Sequence, residues 1–275
     1  METTTPPVTQ CANCGAALAG AFCSRCGQKH WGEHGWSLGH FLHELFHEFT
    51  HVDSSILGTF RMLLRPGELT AQYLAGRRVA FVNPIRLYLL TTAVFFFFGA
   101  ASGSSVEGLT RMGNASGLMG NIQQHARERG VPYEIALEQF DTLLHKGTSL
   151  FIALGILIFS LTLWLLMRTR NPFVAPHAVF AMHCYTFFFL ARIALGGVVY
   201  LIQETHGSAA WLNLDSWTSL VILPYLLLAM RRVYGQPWVP LIGKWVVLLV
   251  VMSILYLASF AGAVFAANRI LYGKF

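Results

Sequence analysis

Charged residues are scarce in this chain. Asp, Glu, Lys and Arg make up 12% of its 275 residues, hydrophobic residues make up 55%, and the mean hydropathy is +0.52. Average soluble domains carry about twice that charged fraction. The shortage excludes a disordered chain and an ordinary soluble enzyme, and it favours a protein with several membrane-spanning helices.

Other signals are missing as well. Five cysteines are too few for a disulfide-dense secreted scaffold. The first ten residues contain no apolar run, so we expect no secretory signal peptide. No glycine-rich phosphate loop, nucleophile elbow or cofactor fingerprint is present. The sequence therefore points to no particular reaction.

Five long apolar runs follow, each close to the roughly 20 residues that a bilayer core requires. They cover residues 85–101, 148–167, 178–202, 212–230 and 244–267. Runs of this length predict helices, because a helix satisfies its own backbone polar groups in hydrocarbon. The predicted fold class is an all-α integral membrane protein with about five transmembrane helices.

The placement of Lys and Arg predicts how these helices are oriented, because cytoplasmic segments carry the excess of basic residues. Basic residues crowd the approach to the first run and the segments that follow the second and fourth runs: Arg61, Arg65, Arg77, Arg78, Arg86, Arg168, Arg170, Arg231, Arg232 and Lys244. Residues 203–211 contain none. We therefore expect a cytoplasmic N-terminus, an extracytoplasmic loop over 102–147 and a C-terminus outside. The net charge of +6 then reflects topology and affinity for anionic lipid at the cytoplasmic face.

Four of the cysteines form two CxxCG pairs near the N-terminus. Cys11 and Cys14 make the first pair, and Cys23 and Cys26 make the second. Two short turns that each present two thiolates give the tetrahedral four-sulfur cage that Zn²⁺ favours, and two pairs this close favour one metal over a redox pair. Because so short a segment cannot form a hydrophobic core, the bound metal would supply its folding free energy. We predict a zinc ribbon over 11–28 that holds one structural Zn²⁺.

A histidine-rich segment over 37–52 is predicted to form an amphipathic helix. Its apolar residues share one face, and the other face carries His40, His43, His47 and His51. The segment contains an HExxH motif, in which zinc proteases bind metal through two histidines and activate water with the glutamate, here Glu44. A segment rich in His and Glu also produces this motif by chance. Three hypotheses stay open: the polar face of a membrane-surface helix, a non-catalytic metal or pH-responsive face, and a hydrolytic site.

The third and fourth predicted spans each contain one charged residue. Arg192 lies in the middle of the third, and Asp215 lies near the outer end of the fourth. An unpaired charge at the bilayer centre costs roughly 2.5 kcal/mol or more, so we expect Arg192 to pair, with Asp215 as its partner, or to face protein or water. His183 falls on the opposite side of an ideal helix from Arg192. A structural contact between helices, an anion or lipid-headgroup site and a transport path all remain open.

Several motifs are spread along most of the chain: FCSRCGQ at 22–28, LLRPG at 63–67, YLAGRR at 73–78, NPIRLY at 83–88, HAVFAMH at 177–183 and RRVYGQ at 231–236. Together they resemble a bacterial family, the domain-of-unknown-function family 3667. The resemblance implies a zinc-ribbon head on a multipass membrane region. It implies no known activity, so no catalytic residues are carried over.

These patterns predict five parts: a disordered tail over 1–10, the zinc ribbon over 11–28, amphipathic cytoplasmic helices over 29–84, a five-span membrane domain over 85–267 and a C-terminal tail over 268–275. We expect a non-enzymatic protein of the bacterial inner membrane, whose ribbon is a docking or sensing head for a cytoplasmic protein. The basic residues near the ribbon, Arg25 and Lys29, are too few for nucleic acid. The alternatives are a transporter or lipid-handling protein that uses Arg192 and Asp215, and a membrane metallohydrolase that uses the HExxH motif.

Overall fold

The computed structural model describes residues 10–18, 20–29, 56–101, 115–206 and 214–272. Eight helices make up most of this part: Ile56–Leu63 (α1), Glu68–Leu74 (α2), Pro84–Ala101 (α3), Ala115–Arg129 (α4), Tyr133–Met167 (α5), Val174–His206 (α6), Leu214–Tyr234 (α7) and Trp238–Tyr272 (α8). Within the described residues no strand forms, and isolated bridges join Gln10 to Ala17 and Phe22 to Lys29. The predicted all-helical class is confirmed.

The predicted spans fall on helices α3, α5, α6, α7 and α8. Two stretches in the described part of the chain are long and apolar enough to cross a membrane, Val174–Ile202 and Trp238–Ala267. Two shorter apolar stretches cover Pro84–Phe97 in α3 and Gly155–Met167 in α5. Length and composition thus support two spans, and the number five stays a prediction.

The connection between the first two apolar runs, residues 102–147, is largely helical where it is described. Helix α4 occupies part of it, and α5 begins just after Pro132 and continues unbroken into the second apolar run. Gly147 lies inside α5, where glycine costs about 1 kcal/mol relative to alanine, which is too little to end a helix of 35 residues. Helix α8 likewise continues to Tyr272, into the predicted C-terminal tail.

The described residues form two compact units. The first combines the ribbon, α1, α2 and α3 up to residue 95 with residues 160–245. The second contains residues 96–159 and 246–275, as far as they are described. Its core is formed by α4, the first half of α5 and the end of α8, through Ile122, Ala126, Ala136, Phe140, Ala263 and Ala267. Alanine at four of these positions allows the helices to approach closely.

In the first unit, helices α1 and α2 form a hairpin whose turn contains Gly67. This glycine has a φ of 72°, and a Cβ built on it would lie 2.8 Å from the carbonyl oxygen of Ala229 in α7. Both the positive φ and the close approach of two backbones require glycine. The turn brings α2 against α6 and α7, where Leu69, Thr70 and Tyr73 are buried. Helix α2, which lies in the predicted amphipathic segment 29–84, therefore packs one face against α6 and α7.

Two side chains of α7 fix the hairpin to that helix. The Tyr225 hydroxyl donates to the carbonyl oxygen of Leu63 at 2.7 Å. The Arg232 guanidinium donates to the carbonyl oxygen of Pro66 at 2.8 Å and pairs with Glu68 at 3.3 Å. The C-terminal end of α7 and the α1–α2 turn are thus held together.

Candidate metal centre

The two CxxCG halves fold in the same way. In each half the first cysteine donates its backbone N–H to a carbonyl five residues on, Cys11 to Ala16 and Cys23 to Gln28, both at 2.8 Å. The glycine of each half, Gly15 or Gly27, donates back to that cysteine's carbonyl at 2.8 Å and has a φ near the left-handed helical value. Glycine is needed there because it adopts positive φ without a steric penalty.

The four sulfur atoms converge on one point. The Sγ atoms of Cys11 and Cys26 are 3.6 Å apart, as are those of Cys14 and Cys23, and all four lie within 4.8 Å of one another. Zn–S bonds of about 2.3 Å in a tetrahedron place sulfur atoms about 3.8 Å apart. The cysteines are free and much farther apart than a disulfide's ~2.05 Å. The predicted four-cysteine cluster is thus present and could hold a metal ion.

Backbone amides stabilise negative charge on these sulfurs. The N–H of Gln28 lowers the pKa of Cys26 to about 6, and the N–H groups of Cys26 and Arg25 lower the pKa of Cys23. At Cys14 the N–H of Ala16 acts in the same direction, but burial and the neighbouring thiols outweigh it and raise the pKa to about 11. Four thiols this close do not all ionise unless a cation balances their charge. A divalent metal ion would supply that charge.

Gln28 joins the ribbon to the rest of the first unit. Its side-chain amide donates to the carbonyl oxygen of Gly76 at 2.7 Å, and its Oε1 atom accepts from the backbone N–H of Arg78 at 3.1 Å. Gly76 has a φ of 96°, and a Cβ built on it would lie 2.8 Å from the Cβ of Ala12. The ribbon is therefore docked on residues 76–79. The only sequence signal for this role of Gln28 is that a polar residue directly follows the second CxxCG pair.

Residues 76–79, called the docking segment below, are connected to His183 through side-chain contacts. The Arg78 guanidinium lies 5.8 Å from the centroid of the Tyr73 ring, and that ring meets the His183 ring edge-on at 6.1 Å. The Thr70 hydroxyl and His183 Nδ1 are 2.9 Å apart in a hydrogen bond. His183 thus connects α2 to α6.

Arg192 contacts a different helix. Its Nη1 atom donates to the Thr218 hydroxyl of α7 at 3.5 Å. Asp215 lies in α7 less than one turn before Thr218, but its side chain is outside the described part of the structure. The pairing of Arg192 with Asp215 stays a prediction. Arg192 and His183 have different partners, as their positions on an ideal helix suggest.

A second histidine, absent from the predicted site residues, joins α6 to α7. His177 Nε2 lies 3.1 Å from the carbonyl oxygen of Asn171, which can only accept, so Nε2 carries the proton. Nδ1 is then an acceptor and receives the Tyr234 hydroxyl at 2.8 Å. His177 and Tyr234 belong to the HAVFAMH and RRVYGQ motifs, which gave the only sequence signal for this contact.

The histidine-rich face lies outside the described residues. His40, His43, His47 and His51, with the HExxH motif, all fall within residues 30–55, so the three hypotheses about them stay predictions. Among the described residues, the four cysteines form the one group of three or more potential ligands that could hold a metal ion.

Comparison with known proteins gives one match. No curated protein and no solved structure matches the chain. Residues 53–96 match the model of a family described as a protein of unknown function, DUF3667. These residues include α1, α2, the segment 76–79 on which the ribbon docks, and most of α3. The match shows that this part of the chain is similar to the DUF3667 family, and it confirms the resemblance predicted from the motifs.

Proposed function

We propose that this protein is a multipass inner-membrane protein whose ribbon binds one structural Zn²⁺ and serves as a cytoplasmic sensing and docking head. The observation that carries the proposal is the double use of Gln28. Its backbone carbonyl accepts a hydrogen bond from the N–H of Cys23, and its own N–H stabilises the Cys26 thiolate. Its side chain is hydrogen-bonded to the backbone of Gly76 and Arg78. Loss of the metal would therefore disturb the docking segment as well as the ribbon.

Exposed apolar side chains support the membrane part of the proposal. The two candidate spans are only 17% and 12% buried, whereas the core helix of a soluble protein would be mostly buried. Large side chains such as Leu201, Val250, Ile254 and Leu257 are at least half exposed. Monomeric soluble proteins rarely expose contiguous apolar surface on this scale, so lipid is the expected cover.

The position of the basic residues supports the proposed orientation. Arg231 and Arg232 lie in the last turn of α7. Arg232 contacts the α1–α2 turn, and Arg231 lies 5.2 Å from the centroid of the Trp238 ring. Arg65 is in the same turn. An excess of Arg at one end of a helix set is typical of the cytoplasmic side.

The test is metal analysis of the full chain in detergent, combined with amide exchange. We expect one zinc per chain in the parent, none in Cys23→Ala/Cys26→Ala and one in the control Cys184→Ala, which removes the cysteine outside the cluster. We further expect faster exchange of residues 73–82 when a chelator removes zinc from the parent. Absence of zinc from the parent would contradict the metal site. Unchanged exchange would contradict the sensing role.

A transport or lipid-handling role is the second candidate. It is favoured by the half-buried position of Arg192 on α6, within the apolar stretch Val174–Ile202 and directed at Thr218. Charged groups at such positions commonly mark substrate paths. Arg192→Leu should then abolish binding of an anionic substrate or lipid while the protein stays folded. A folded variant with unchanged binding would remove this candidate.

A further inference from the structure

Helix α1 presents a surface in which apolar and basic side chains alternate. Leu57 is 83% exposed and Leu64 is 71% exposed, and Arg61 and Arg65 are exposed beside them. Positions 57, 61 and 64 are separated by four and three residues, so they lie on one side of a helix, and Arg65 follows in the turn at the end of α1. Leu64 continues the helical pattern, because its N–H donates to the carbonyl of Phe60 at 3.1 Å. These four residues are called the α1 surface below.

The α1 surface faces outward because the opposite side of α1 is fixed. The Thr59 hydroxyl is fully buried and accepts from the backbone N–H of Val82 at 3.0 Å. Leu63 is also buried, and its carbonyl oxygen receives the Tyr225 hydroxyl. Rotation of α1 to cover the leucines would break both contacts, so α1 keeps these leucines on its outward side.

The charge of the α1 surface indicates what covers it. Residues 56–65 contain two arginines and no acidic residue. The next carboxylate along the chain, Glu68, is paired with Arg232. Apolar side chains interspersed with cations are typical of helices that lie in the headgroup region of an anionic membrane.

We propose that the α1 surface binds anionic phospholipid. Leu57 and Leu64 insert among the acyl chains, and Arg61 and Arg65 bind the phosphates. The inference rests on the proposed function, since the chain must be held at a membrane for this surface to meet one. A free phosphate ion would satisfy the arginines but leave both leucines in water, so a lipid fits the whole surface better.

The arginines are tested by lipid titration of the full chain. Native mass spectrometry in detergent would follow binding of phosphatidylglycerol and phosphatidylcholine to the parent and to Arg61→Gln/Arg65→Gln. The control Arg127→Gln/Arg129→Gln removes two exposed arginines from α4 and alters the net charge equally. We expect affinity for phosphatidylglycerol to fall about five-fold per arginine in the first variant only, with phosphatidylcholine unaffected. An equal loss in the control, no loss at all, or inorganic phosphate binding as tightly as the lipid would overturn the proposal.

The leucines are tested by photo-crosslinking in nanodiscs that contain phosphatidylglycerol. A benzophenone amino acid replaces Leu57 or Leu64, and the control position is Gln123, exposed on α4. We expect lipid adducts from positions 57 and 64 and none from 123. Adducts to residues 30–55 of the same chain, or to another protein, would show that something other than lipid covers the surface and would overturn the inference.

Carbonate extraction of cell membranes separates this inference from the proposed function. A chain that resists extraction but yields no lipid adduct would overturn the role of the α1 surface alone. A chain that carbonate removes from the membrane would overturn the proposed membrane function and this inference with it. Unchanged zinc content in every variant checks that the fold is intact.

Discussion

Gly67 and Gly58 lie in the same helical hairpin but have opposite surroundings. Gly67 has a positive φ and faces the backbone of Ala229, whereas a Cβ built on Gly58, within α1, would meet nothing within 4 Å. The first position requires glycine, and the second only tolerates it. The pair therefore offers a matched test of how tightly the hairpin packs on α7.

We expect Gly67→Ala to lower the free energy of unfolding by about 2–4 kcal/mol, because it combines backbone strain with overpacking. Gly58→Ala should instead raise it by up to about 1 kcal/mol, because alanine has the higher helix propensity. Thermal unfolding of the detergent-solubilised chain measures both. Equal midpoints for the two variants would show that the close approach to Ala229 contributes nothing.

Replacing the side chain of Gln28 tests the docking of the ribbon separately from metal binding. Gln28→Ala keeps the backbone groups that support the cage but leaves Gly76 and Arg78 without the amide contacts, at a cost of about 1–3 kcal/mol. We therefore expect one zinc per chain and faster amide exchange over 73–79. The exposed Gln123→Ala is the control. Loss of zinc from Gln28→Ala would mean that the side chain supports the cage itself.

At the scale of elements, α6 and α7 are joined by side chains along most of their contact. His177 bonds to Tyr234 at 2.8 Å near one end, and the rings of Phe187 and Tyr225 stack with centroids 3.6 Å apart further along. Tyr225 also reaches the hairpin through Leu63. The two helices and the hairpin thus form one packed group rather than independent segments.

Tyr234→Phe tests the polar end of this contact. The change removes the donor to His177 Nδ1 and leaves that nitrogen buried, so we expect a loss of about 1–3 kcal/mol in the free energy of unfolding. Tyr200→Phe, at an exposed position on the same α6 helix, should change it by less than about 0.5 kcal/mol. Chemical unfolding of both variants in detergent, followed by circular dichroism, distinguishes them. Similar losses would contradict a structural role for the His177–Tyr234 bond.

At the scale of the whole molecule, the proposed topology depends on the number of membrane crossings. Five apolar runs predict an odd number of crossings and a C-terminus outside, while two helices meet the length and composition of a span. With the N-terminus in the cytoplasm, an odd number of crossings places residue 275 outside and an even number returns it to the cytoplasm.

Reporter fusions at the C-terminus decide between these topologies. We expect alkaline phosphatase to be active there and a fluorescent protein that matures only in the cytoplasm to stay dark. Fusions after residue 206 and after residue 236 serve as internal controls, because the prediction places the first outside and the second inside. A fluorescent C-terminal fusion would contradict five crossings.

Local spacing was sufficient to predict the cysteine cage, the helices that carry the five apolar runs and the motifs of the family, but it did not predict α4. Each depends on residues close in sequence: a pair of thiols three residues apart, or an apolar run long enough for a helix. The unbroken α5 was missed because the sequence shows a composition change near 147 where the backbone needs no break.

Other features were decided only by the tertiary structure. The docking of Gln28 on Gly76, the contact of Thr70 with His183 and the bond between Tyr225 and Leu63 join residues 48, 113 and 162 positions apart. Neither periodicity nor motif spacing shows which distant groups will meet. The sequence by itself therefore determined which parts this protein has, and the packing of α2 against α6 and α7 decided how the metal site, the hairpin and the long helices are connected.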